Sequence, residues 1–144
     1  ATNNAFLKYK VLRNNKINFN KNLRNIGGSD QLFFKKLTMI KFKCGWNINS
    51  KVIENIHIDR ENIYWFLKRN LRYGYSGNYI DKIIYGKMIG SIINFLKALF
   101  LLNLSIIYVF LIFTKKNFYK SLFYFFRSAG RILSIFNYTP KKYI

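Results

Sequence analysis

At 144 residues, about half of them hydrophobic, the chain holds one modest domain and little more. Twenty-five Lys and Arg against five Asp and Glu give a formal net charge of +20. That balance directs attention to an anionic membrane surface or to nucleic acid, but no zinc-ligand spacing, RNP-like aromatic pair or basic heptad region supports the nucleic-acid branch. A single cysteine, Cys44, excludes an intrachain disulfide and a thiolate metal cluster, and its apolar neighbours mark it as a structural thiol.

All five acids (Asp30, Glu54, Asp59, Glu61 and Asp81) lie before residue 82. The first 81 residues hold fifteen bases and the remainder hold ten, so each part carries a net +10. The abundance of Asn, Ile, Lys, Phe and Tyr is also what an AT-rich coding sequence favours, which offers a second source for part of the excess.

In chain order, residues 1–26 alternate short apolar runs with Asn and Lys and contain no apolar core of a signal peptide. Ala5–Leu7 reads as a strand, Val11-Leu12 as a following turn or short helix, and Ile17 with Phe19 as a short strand or extended arm. Gly27-Gly28 breaks the chain. Ser29 or Asp30 then caps a helix over 30–40, with Leu32, Phe33, Phe34, Leu37, Met39 and Ile40 at helical spacing. Trp46, Ile48, Val52, Ile53, Ile56 and Ile58 are β-prone with Asn-Ser turns between them. A helix over roughly 60–73 follows, and Gly74 and Gly77 are expected to loosen the chain after it.

Residues 88–113 are predominantly apolar, with Lys97 as the interrupting charge. The uninterrupted part, Ala98–Phe113, reaches roughly 24 Å as a helix, short of the roughly 30 Å hydrocarbon core. A short span and a re-entrant pair both fit. Bases flank the block on both sides, Lys82 and Lys87 before it and Lys115 and Lys116 after it, so the positive-inside tendency places both flanks in the cytoplasm. Residues 117–136 repeat apolar positions at helical spacing beside Lys120, Arg127 and Arg131, the pattern of a helix in the headgroup plane. An ordinary soluble core is the competing reading of both segments.

Two patches could carry chemistry. Asp30 after Gly27-Gly28 suits a helix cap and equally a general base, because glycine lets backbone approach a substrate and a carboxylate can then deprotonate an attacking hydroxyl. Trp65, Arg69 and Arg72 share one helical face, where two guanidiniums suit a diphosphate or a lipid phosphate; a solvated basic helix is the plainer alternative. His57 has no second candidate ligand nearby, so it reads as structural.

The run Gly27-Gly28-Ser29-Asp30-Gln31-Leu32-Phe33-Phe34-Lys35-Lys36-Leu37 resembles the Gly-Gly-Glu-Asp-x-Asp-Phe-Phe-x-Arg-Leu segment of glycosyltransferase family 2. Ser29 and Leu32 stand where that segment has Glu and Asp. Arg60…Trp65-x-x-x-Arg69-x-x-Arg72-Tyr73-Gly74 is similar to a Trp/Arg stretch in family members of the succinoglycan-biosynthesis type, and Ala1–Leu7 and Arg127–Leu133 also look like parts of that subgroup. The resemblance implies an inverting transfer of a sugar from a nucleotide-sugar donor to a lipid-linked or polysaccharide acceptor. It implies Asp30 as catalytic base and Trp65, Arg69, Arg72 and Glu54 near the substrate and the donor diphosphate. It further implies an α/β fold: residues 1–81 as the C-terminal, acceptor half of a GT-A (Rossmann-like) domain, and 82–144 as a membrane-associated helical tail. The family's divalent metal, Mg or Mn, sits on an Asp-x-Asp pair that does not occur in this sequence. The expectation is therefore a fragment without its nucleotide-binding half, inactive alone, on the cytoplasmic face of a membrane. A small, basic, non-enzymatic membrane protein, an anchor or subunit, is the rival.

Overall fold

The computed structural model describes residues 4–24, 26–43, 45 and 47–136. Over these residues the chain is helical: α1 (Tyr9–Asn14), α2 (Ser29–Met39), α3 (Ile63–Tyr85), α4 (Lys87–Phe110) and α5 (Lys115–Leu133), with short 3₁₀ turns at Lys21–Leu23, Ile58–Arg60 and Ser134–Phe136. No strand occurs among the described residues, which overturns the expected α/β, Rossmann-like architecture. The chain forms a helical bundle instead. The β-prone residues are present but have nothing to pair with. Val52, Ile53 and Ile56 lie exposed on an irregular connection between α2 and α3, and an extended segment without a laddered neighbour is at best marginally stable. Ala5–Leu7 and Ile17–Phe19 are likewise irregular. Ala1–Asn3, Cys44 and Trp46 lie outside the described residues.

Helix α2 forms where the apolar spacing places it. Leu32, Phe33 and Leu37 are buried on one side, each such side chain contributing about 1.5–3 kcal/mol. Phe33 and Leu37 pack with Ile17, and Phe33 stacks on Phe19 at 4.4 Å. Leu32 packs with Leu23 and Ile80, which docks α2 onto α3.

Helix α3 begins at Asn62, whose Oδ1 accepts the Trp65 N–H at 2.7 Å. It does not loosen at Gly74 and Gly77 but runs unbroken to Tyr85, so the boundary expected at 81/82 falls inside a helix. The reason is tertiary. At Gly74 an added Cβ would stand 2.1 Å from the Arg127 carbonyl oxygen, and at Gly130 one would stand 2.0 Å from that of Leu71. The two glycines face each other where α3 and α5 cross, and close backbone contact outweighs their low helix propensity.

Gly86, at φ +82°, turns the chain back so that α4 runs antiparallel to α3. Gly90 of α4 lies against the Lys82 backbone. Thr114 caps α5 by accepting the Asn117 N–H, and α5 returns antiparallel to α4. Their seam is small and polar. Ser105 Oγ donates to the Ser121 carbonyl at 3.0 Å, and Ser128 Oγ donates to that of Ala98 at 2.8 Å.

Helix α4 turns small and polar residues inward and apolar residues outward. The buried residues of α4 are Gly90, Asn94, Ala98 and Ser105, whereas Ile92, Phe95, Leu96, Leu99, Phe100, Ile106, Ile107, Val109 and Phe110 are exposed. At 24 residues, α4 is continuous and roughly 36 Å long. It is long and apolar enough to cross a membrane.

Candidate functional site

The two sequence patches converge. A cleft of about 310 Å³ is lined by Gly27, Gly28 and Asp30 from the start of α2, by Arg60 from the 3₁₀ turn, and by Trp65, Arg69, Arg72, Tyr73 and Ser76 from α3. That size lies at the low end of the roughly 300–1,000 Å³ seen for small-molecule pockets.

The glycine pair makes the convergence possible. Gly27 and Gly28 have φ of +92° and +84°, a left-handed region that side chains with a Cβ rarely enter. A Cβ on Gly28 would also stand 3.0 Å from the Ile80 side chain and 3.1 Å from Ser76. The loop therefore lies directly on α3, and Asp30 enters the first turn of α2 beside the arginines. Gly28, not Ser29 or Asp30, occupies the cap position, and Asp30 Oδ1 accepts the Gln31 N–H at 2.9 Å.

On α3, Arg69 lies between the rings of Trp65 and Tyr73, at 4.7 and 5.3 Å from their centroids, and donates to the Tyr73 hydroxyl at 2.9 Å. These contacts orient a planar cation while leaving its charge uncancelled, an arrangement suited to a phosphate or diphosphate. Arg72 approaches the Gly27 backbone; a Cβ there would be 3.5 Å from its guanidinium. One carboxylate thus faces three guanidiniums, from Arg60, Arg69 and Arg72. This set attracts an anion and repels a divalent cation, so the cleft does not fit a metal.

Glu54 does not join the site. It is exposed on the connection between α2 and α3 and does not line the cleft. His57 is also exposed; its Nδ1 lies 2.9 Å from Asp59 Oδ2 in a local turn. Among the described residues no three of His, Cys, Asp and Glu gather into a potential metal site. A larger hollow of about 460 Å³ lies between the N-terminal segment and residues 42–50, bordered by Lys8 and Lys43 without an acid.

A buried charge centre between the helices escaped the sequence reading. Asp81 is 2% exposed and receives Lys35 at 3.1 Å, Lys97 at 2.8 Å and Arg131 at 3.0 Å, joining α2, α3, α4 and α5. Burial alone would raise its pKa, but the hydrogen bonds from Lys97, Arg131 and Lys35 prevail and hold the carboxyl below its ordinary value. Arg131 also donates to Asn94 Oδ1 at 2.9 Å. The signal in the sequence was Lys97: a lone cation in an apolar helix calls for a partner, and Asp81 is the nearest acid.

No protein-family model, curated protein or solved structure matches the chain.

Proposed function

We propose that this chain is the acceptor-side portion of an inverting glycosyltransferase that works at a membrane. The observation that carries the reading is the cleft itself: Gly27, Gly28 and Asp30 from one stretch that resembles a family 2 motif, and Arg60, Trp65, Arg69, Arg72 and Tyr73 from another, line one hollow. In the proposed step an acceptor hydroxyl attacks the anomeric carbon of a nucleotide-sugar. Asp30 takes the hydroxyl proton, the new C–O bond forms, and the bond from the anomeric carbon to the phosphate oxygen breaks. Arg69 and Arg72 stabilise the departing diphosphate. The donor's nucleoside is bound by a unit outside these helices.

The membrane part of the reading is supported by α4 and by the apolar exterior of the bundle. Beyond Lys97 the apolar run is uninterrupted, so in this proposal the distal half of the α4–α5 hairpin enters the bilayer while the cleft stays at the cytoplasmic surface. The rival, a non-enzymatic membrane anchor, draws on one contact: Asp30 Oδ1 is engaged by the Gln31 N–H, as a helix-stabilising acid would be.

One assay separates the two. Membranes from cells expressing the complete transferase are incubated with labelled nucleotide-sugars, and label is followed into lipid-linked and polysaccharide products. Asp30→Asn is expected to leave the protein folded and membrane-bound but to lower turnover by a factor on the order of 10²–10⁴. Turnover within about threefold of wild type would leave Asp30 with the helix-stabilising role alone.

A further inference from the structure

Tyr73 also lines a second groove of about 210 Å³. Its lining includes Gln31 at the mouth, Lys97, Arg127 and Arg131 as cations, and Phe100 and Leu101 as an apolar wall. Arg127 is the unusual member. It is partly buried, its Nε donates to the neutral Asn70 Oδ1 at 3.2 Å, and its guanidinium lies over the Phe123 ring at 4.1 Å and the Tyr73 ring at 5.2 Å. Among the described residues no carboxylate lies within ion-pair distance of it. Loss of water lowers its pKa from the ordinary arginine value, and the neighbouring charges of Arg131 and Arg69 act in the same direction against Tyr73 and Tyr124.

The groove's other cations, Lys97 and Arg131, share the one carboxylate of Asp81 with Lys35. Three bases therefore share a single acid, and Arg127 beside them adds a fourth positive charge that no carboxylate among the described residues meets. An excess of positive charge drawn partly out of water is costly unless an anion completes it. The wall narrows the choice of anion. Phe100 is 63% exposed on a helix apolar enough to cross a membrane. Lys97 stands where that helix's uninterrupted apolar run begins, which is the headgroup level if the distal half of the α4–α5 hairpin enters the bilayer as proposed above. A small soluble anion would gain nothing from Phe100 and Leu101, whereas an acyl chain would cover them.

We propose that this groove seats the phosphate of a membrane lipid, held by Arg127, Lys97 and Arg131, with the lipid's proximal carbons against Phe100 and Leu101. The assignment stands independently of sugar transfer, since it uses none of the residues given a role there except the shared wall residue Tyr73.

The test uses the whole chain in dodecyl maltoside micelles, titrated with dioleoyl phosphatidic acid, with dioleoylglycerol (the same tails without phosphate) and with inorganic phosphate. Phosphatidic acid is expected to bind at least about tenfold more tightly than either control. Arg127→Gln is expected to weaken it by about tenfold or more, the scale of a lost charge-assisted hydrogen bond. Gln31→Glu, at an exposed position where the fold should be indifferent, adds a repelling carboxylate at the mouth and is expected to weaken binding by about fivefold. Lys51→Gln and Lys116→Gln remove exposed charges elsewhere and should change affinity by less than about twofold. Equal binding of dioleoylglycerol, equal binding of inorganic phosphate, or losses in the Lys51 and Lys116 variants matching those in the groove variants would each overturn the assignment. If Arg127→Gln fails to fold, unchanged binding in Gln31→Glu overturns it as well.

Discussion

Asp81→Asn removes the one negative charge on which three cations of three other helices converge. The cost can be built from the individual contacts. The Lys35 and Lys97 side chains are 30% and 42% exposed, so both can turn to water, and each pair is worth only about 0.2–1 kcal/mol. Arg131 is 14% exposed and is held by Asn94 as well, so its charge cannot escape; losing that contact costs about 1.5–3 kcal/mol. Together these give a loss of roughly 2–5 kcal/mol. For a chain of this size each kcal/mol moves the melting temperature by about 3–4 °C, so a drop of roughly 6–20 °C is expected. The assay is thermal unfolding in dodecyl maltoside followed by helical circular dichroism, at neutral pH and along an acid series. The folded-state pKa of Asp81 lies below its unfolded value. Its contribution is therefore fully present above the unfolded carboxylate pKa and is lost as pH falls through the folded one. The gap between wild type and variant should be constant near neutrality and close as the solution is acidified through that window. A neutral-pH loss under about 0.5 kcal/mol, or a gap that persists below both pKa values, would refute the idea that Asp81 holds the bundle together.

Three further outcomes follow from the same geometry. Gly130→Ala places a methyl group on the Leu71 carbonyl, forcing α3 and α5 apart; a loss of about 1–3 kcal/mol or more is expected in the same thermal assay, and an unchanged midpoint would remove the close crossing from the account. The full chain should resist carbonate and high-salt extraction from membranes. Leu99→Lys, Ile106→Lys and Phe110→Lys combined on the exposed face of α4 should abolish that retention, since a Lys at a span's centre costs about 2.5–3.5 kcal/mol; retention of the triple variant would show that this face does not meet lipid. Arg69→Ala and Arg72→Ala should each raise the KM for the donor in the transfer assay by about ten- to hundredfold, and an unchanged KM in both would leave α3 with a merely basic surface.

Individual helices were legible in local pattern, but the architecture they build was not. The spacing of Leu32, Phe33 and Leu37 marks α2, and the apolar run after Gly86 marks α4, because helical periodicity is written into neighbouring residues. The β-prone residues 46–58 misled, since a strand is a property of two segments and only one is visible in a local window. Gly74 misled for the opposite reason. Its low helix propensity is a local fact, while the reason for its place in α3 is the backbone of α5 more than fifty residues away.

The site divides along the same line. Residue type and spacing alone pointed to Asp30 as an acid on a glycine turn and to Trp65, Arg69 and Arg72 as one helical face, because those relations span a few residues. That the two patches share a cleft, that Glu54 stays outside it, and that Lys97 in the apolar helix answers to Asp81 were decided only by tertiary packing. Helix crossings at glycine and serine bring backbones close enough for charges far apart in sequence to meet, and no local pattern encodes which crossing will form.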